Sequence, residues 1–177
     1  MMTRLAVAWL IATVIAPASA DAQSGANPLV DAVKNQYGIV KGYLAKTAEK
    51  VPEEVWSFQP TPEVRTFGQL IGHVADSQFS ICSAAADEKP PQTGIEKAMK
   101  SKAELTKALA ESTAYCDRIA NGMDDKKGME PIKFFGGMQP RAMVLSFNVA
   151  HDFEHYGNLV TYMRLKNIVP PSSEGQR

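Results

Sequence analysis

The chain has 177 residues, 45% of them hydrophobic, and its 19 basic and 19 acidic side chains cancel to a formal net charge of zero. No basic run or stripe stands out, which argues against nucleic acid as a partner, and two cysteines allow one disulfide but not a disulfide framework. With no internal repeat and no low-complexity segment, one domain is the simplest organisation.

Residues 1–20 read as a secretory signal peptide. Arg4 supplies a short positive start, Leu5 to Ile15 is an apolar run, and Ala18-Ser19-Ala20 is a small-x-small cleavage site. The apolar run is too short to span a bilayer; the alternative is an uncleaved anchor. Export implies a periplasmic or secreted protein with no membrane attachment after cleavage. About 155 residues then remain, enough to bury a sizeable core. We place a single domain over residues 27–171.

Asn27 followed by Pro28 predicts an N-cap with proline at the first helical position. Leu29, Val33, Tyr37, Val40 and Leu44 then recur at helical spacing, so an amphipathic first helix runs to about Lys50. Pro52, Pro60 and Pro62 make the next stretch a returning loop, in which Val55 to Phe58 is apolar enough to pack on the end of the bundle. Thr66 caps a second helix with a stripe of Phe67, Leu70, Ile71, Val74, Gln78 and Ile81. His73 falls on one flank of that stripe and Cys82 about 180° round from it, so the two do not share a metal site.

Lys89 to Lys100, with Pro90-Pro91 and Gly94, is long enough to cross between parallel helices and has room for one short helical turn. Ser101 and Glu104 form a capping box for a third helix carrying Leu105, Leu109, Cys116 and Ile119. Cys82 and Cys116 both lie toward the ends of their helices. If these helices are parallel, a Cys82–Cys116 disulfide is feasible; the alternative is two buried free thiols. Asn121 to Met138 reads as loop, with Phe134-Phe135 before Gly136-Gly137 too short a run to assign as a strand, the alternative being a small irregular extended piece. Pro140 opens a fourth helix, which runs to about Asn167 before Pro170-Pro171.

The fourth helix has two apolar sides: Val144, Phe147, His151, His155 and Tyr162 on one, and Leu145, Val149, Tyr156, Val160 and Met163 on the other. Such a helix is either central in its own domain or covered by another chain, so a homodimer packed through the second side is an expectation. His151 and His155 stand four apart and therefore share a helical face. An imidazole pair so placed can chelate a first-row metal, and all three histidines of the chain fall on predicted helices. We expect His73, His151 and His155 to meet around one divalent ion. Three imidazoles suit zinc or nickel first, and iron or copper also. His151 to His155 also fits His-x-x-Glu-His of the inverted zinc peptidases. That reading is rejected, because the only acid after His155 is Glu174, in the tail.

The segments Thr66 to Gln78 and His151-x-x-x-His155-Tyr156-Gly157-Asn158-Leu159-Val160-Thr161-Tyr162-Met163-Arg164-Leu165, followed by Pro170-Pro171, resemble the signature segments of the DinB-like (DinB/YfiT-type) superfamily. The resemblance covers essentially the whole mature chain. It implies an all-α four-helix bundle, up-down-down-up, with the long crossover between helices two and three. It also implies that His73, His151 and His155 bind a divalent metal in an open site. Asn158 departs from the pattern, since many members carry glutamine there. Export departs too, because the better-understood members are cytoplasmic. Relatives include metal-dependent transferases of low-molecular-weight thiols and proteins described as hydrolases. Two outer residues are candidates for orienting the imidazoles, Asp76 one turn from His73 and Asn158 beside His155. No catalytic base is assigned; Glu154 points about 60° to 100° away from the histidine pair. Three functions compete: a metal-dependent hydrolase or thiol transferase, a non-catalytic metal- or small-ligand-binding stress protein, and an interaction module whose histidines are core polar groups.

Overall fold

The structure, a computed structural model, describes residues 26–175. Residues 1–20, read above as a signal peptide, lie outside the described residues. Four long helices form the bundle: α1 (Pro28–Lys50), α2 (Phe67–Ala86), α4 (Lys102–Asn121) and α6 (Arg141–Leu165). A one-turn helix, α3 (Ile95–Ala98), sits in the crossover, and α5 (Asp125–Gly128) precedes an antiparallel hairpin of β1 (Pro131–Phe134) and β2 (Gly137–Pro140). None of the described helices is long and apolar enough to cross a membrane.

Contacts along the helices set their directions. The start of α2 approaches the start of α4 at Gly68 and Leu105, and their far ends meet where the Ser83 and Tyr115 hydroxyls hydrogen-bond at 2.9 Å. The two helices are therefore parallel. Arg141, at the start of α6, donates to the carbonyl of Ala85 near the end of α2, while Tyr162, near the end of α6, donates to the carbonyl of Arg65 just before α2. That pair is antiparallel. Lys102 at the start of α4 donates to the Glu49 carbonyl near the end of α1, so α1 opposes α4. The order is up-down-down-up, with the crossover between α2 and α4. Being parallel, α2 and α4 bring Cys82 and Cys116 to one level, where they form a disulfide with Cα atoms 5.4 Å apart.

Local sequence signals start two of the helices. Gln69 N–H donates to Thr66 Oγ1 while Thr66 N–H donates to Gln69 Oε1, and Ser101 and Glu104 make the same reciprocal pair for α4. α1 is different. Asn27 is its N-cap residue, but its side chain makes no cap bond to its own helix. Asp125 of α5 accepts instead from the N–H groups of Leu29 and Val30, and Asn27 Oδ1 accepts from Asp125 N–H. The first turn of α1 is also rotated from the predicted stripe, with Val30 fully buried and Leu29 exposed.

The stretch 121–138, read as loop with room for a small extended piece, contains the one-turn α5 and the first strand of the hairpin, whose turn holds Phe135 and Gly136 at φ 45° and 82°. Both values are those of a two-residue type I′ turn, and Phe134 is held edge-on against Phe147 of α6. The second apolar side of α6 is covered within the chain. Leu145, Val149, Tyr156 and Met163 are all buried, and Tyr156 stacks on Tyr43 of α1 with ring centroids 5.0 Å apart. Val160 on the same side is partly buried against the core, so this side is packed largely within the domain. The apolar loop segment does close one end of the bundle, with Trp56 edge-on to Phe67 and Phe58 edge-on to Tyr162.

Candidate metal centre

α6 carries His151 and His155 one turn apart, and antiparallel α2 brings His73 against them. The three imidazoles each offer a nitrogen such that all three atoms lie within 4.8 Å of one another. Ring centroids are separated by 4.4 Å for His151–His155, 4.6 Å for His73–His155 and 5.2 Å for His73–His151. The Nε2 atoms of His151 and His155 are 3.1 Å apart. In a tetrahedral site with metal–nitrogen bonds of 2.0–2.1 Å, ligand nitrogens stand about 3.3 Å apart, so the pair already has chelating spacing. His151 Nδ1 is buried with no hydrogen-bond partner among the described residues, and its Nε2 is the nitrogen that meets His155.

Electrostatics keep the imidazoles in the form a metal needs. Burial pushes the His155 pKa from 6.5 down to about 4, and the neighbouring His151, His73 and Arg65 push in the same direction. Burial also lowers His151, reinforced by His73. His73 is lowered by burial and then by Arg65, with Glu96 opposing. Three neutral nitrogen donors facing one point match zinc and its first-row neighbours.

The outer contacts differ from expectation. Asn158 does meet His155, its side-chain amide lying 3.4 Å from Nδ1. Asp76 acts on His73 as a nearby negative charge, while its two carboxylate oxygens accept from the N–H groups of Ile95 and Glu96, both at 2.9 Å. The carboxylate that faces His73 is Glu96, with Oε2 3.3 Å from Nδ1. Arg65 completes this group, donating from Nε to Glu96 Oε1 at 3.0 Å. Neither Glu96 nor Arg65 was legible as a site residue, because both lie on connections where no periodicity points at a partner.

Below the histidines, a second polar cluster was missed as well. Asp152 is fully buried in α6, where Gln78 and Asn148 donate to its Oδ2 at 2.9 and 3.2 Å, and Ser112 of α4 donates to Gln78 Oε1 at 2.7 Å. Burial raises the Asp152 pKa from 3.8 to about 7 against the lowering effect of those two donors. A signal was present: Gln78 interrupts the apolar stripe of the second helix, and Asn148 and Asp152 stand four apart in a largely apolar fourth helix.

Of the three histidines, His155 lines a cleft of about 760 Å³, together with Arg65, Glu96, Glu154, Asn158 and Tyr162 among others. Such a volume admits a small organic molecule. Glu154 thus reaches the cleft, though not the histidine nitrogens.

The DinB superfamily model matches residues 36–159. Solved structures share the fold at low identity. A DinB-like protein from Bacillus cereus ATCC 10987 superposes with a TM-score of 0.71 at 18% identity, covering 80% of this chain and 95% of that one. The DinB-like protein YjoA from Bacillus subtilis gives 0.63 at 16% identity, over 77% of this chain and 92% of that one. A conserved protein from Enterococcus faecalis gives 0.61 at 15% identity, over 77% and 95%. No curated protein matches the chain in sequence.

Proposed function

The chain belongs to the DinB superfamily, and from that premise we propose that it is an exported protein that binds one divalent metal ion through His73, His151 and His155 and uses it for hydrolysis or thiol transfer. The observation that carries this reading is the convergence of three neutral imidazoles beside an open cleft. A metal with three neutral ligands and an open position lowers the pKa of a water or thiol that enters, and so supplies a nucleophile near neutral pH. The protein's own residues shape what enters. Arg65 and Glu154 bring opposite charges to the lining of the cleft, Tyr162 forms part of its wall, and the Asn158 amide meets His155.

The Cys82–Cys116 bond supports export, since disulfides persist in oxidising compartments. Outside the cytoplasm a low-molecular-weight thiol is scarce, which favours hydrolysis over thiol transfer. The competing reading is a bundle that holds metal or a small ligand without catalysis.

Elemental analysis of tag-free protein tests the metal directly; about one equivalent is expected, and its absence would overturn the proposal. Ester, amide and thiol–electrophile panels, run on metal-loaded and chelated samples, then separate hydrolase, transferase and carrier. Mass spectrometry of the mature N-terminus from exported fractions tests cleavage after Ala20.

A further inference from the structure

Nδ1 of His73 has two neighbours that require opposite things of it. Arg65 brings Nη2 to 3.3 Å and Glu96 brings Oε2 to 3.3 Å. A guanidinium only donates, and an ionised carboxylate only accepts. A neutral imidazole carries a single N–H. If Nδ1 accepts from Arg65, the proton sits on Nε2 and blocks it; if Nδ1 donates to Glu96, Nε2 keeps its lone pair. We propose that Glu96 is a positioning residue that holds His73 in the Nδ1–H tautomer and thereby makes Nε2 its metal-binding atom. This rests on the three-histidine reading above.

Glu96 is delivered to that position by the fold. Asp76, one turn along α2 from His73, grips the first N–H groups of α3 at Ile95 and Glu96. Ile95 is 1% exposed and anchors the turn in the core. Gly72, next to His73, has no Cβ to obstruct it; one added there would stand 2.8 Å from Glu96 Cα. The backbone of α3 therefore lies flat against α2 directly beside the imidazole.

The balance between the two neighbours favours the carboxylate. The Arg65 side chain is 40% exposed and already spends Nε on Glu96, so its Nη2 protons can be given to water. Glu96, at 24% exposed and tethered by α3, cannot turn away as cheaply. A metal on Nε2 would make Nδ1–H a better donor and draw it toward the Glu96 carboxylate.

The test uses long-range ¹⁵N–¹H NMR of the imidazoles in metal-free full-length mature protein, together with zinc affinity from chelator competition. Wild type is expected to show His73 protonated on Nδ1. E96A should move the proton to Nε2 and weaken zinc binding about 10- to 100-fold. E96Q, which keeps an acceptor oxygen, should retain the Nδ1–H tautomer and most of the affinity, and equal melting temperatures will exclude a folding defect. A wild-type His73 protonated on Nε2, or an E96A variant with unchanged tautomer and zinc affinity, would overturn the proposal. Failure of the wild type to bind zinc would instead remove the metal reading, while the tautomer is still read on the metal-free protein.

Discussion

His151 and His155 place their Nε2 atoms 3.1 Å apart, one turn from each other on α6, with His73 closing the third side. Two neutral imidazoles that close share one proton or one ion. Metal binding is therefore expected to tie α2 to α6 and to raise stability. At a free zinc concentration 100 times the dissociation constant, the gain is about 2.7 kcal/mol. Thermal melts with zinc and with chelator check this, and His73→Ala, His151→Ala and His155→Ala should each abolish the difference.

The Cys82–Cys116 bond encloses a loop with a sequence separation of 34. Constraining a loop of that size in the unfolded chain stabilises the fold by about 3–4 kcal/mol. Denaturant titrations of the oxidised protein and of the Cys82→Ser/Cys116→Ser double variant should differ by that amount. A difference below about 1 kcal/mol would mean that the packing of α2 on α4 carries their association alone.

Asp152 gives the metal-free protein an unusual pH response. Its folded pKa of about 7 is above the ordinary 3.8, so the folded state binds the proton more tightly. The stability it contributes is fully present below about 4 and is lost as pH rises through about 7. His155, lowered to about 4 from 6.5, acts with the opposite sign: its contribution is present above 6.5 and is lost as pH falls toward 4. Between about pH 4 and 6.5 the two contributions oppose each other, so Asp152→Asn should remove the decline that otherwise runs from about 4 to 7 and uncover the rise of stability with pH that His155 supplies. Urea unfolding across that range, in chelator, measures it.

Glycines in two of the helices should respond in opposite ways. Alanine at Gly72 would put its Cβ 2.8 Å from the Glu96 Cα, and backbone has to move to admit it. Gly72→Ala should cost about 1–3 kcal/mol and displace α3 from His73. Nothing lies within 4 Å of a Cβ at Gly38 in α1, so Gly38→Ala should stabilise by about 0.5–1 kcal/mol. Melting temperatures of the two variants test the contrast.

Much of the molecule was legible one element at a time. Thr66 with Gln69 and Ser101 with Glu104 start their helices through bonds three residues apart, and His151 with His155 pair across one turn. These relations follow from helical geometry and need no knowledge of the rest of the chain. The DinB-like segments added the bundle order and the convergence of His73 with that pair.

Other features depend on partners that no local pattern identifies. Asp125 caps a helix 95 residues away, Gln78 meets Asp152 across 74 residues, and Arg65 holds Glu96 across 31. The second apolar side of α6 reads the same in sequence whether α1 or another chain covers it, and only the packed bundle places Tyr43 on Tyr156. Which faces are apolar, and which side chains offer metal-binding nitrogens on them, can be read from residue order, because both follow from the period of the helix. That the Glu96 carboxylate lies 3.3 Å from His73 cannot, because it depends on where a one-turn helix settles once Gly72 leaves it room.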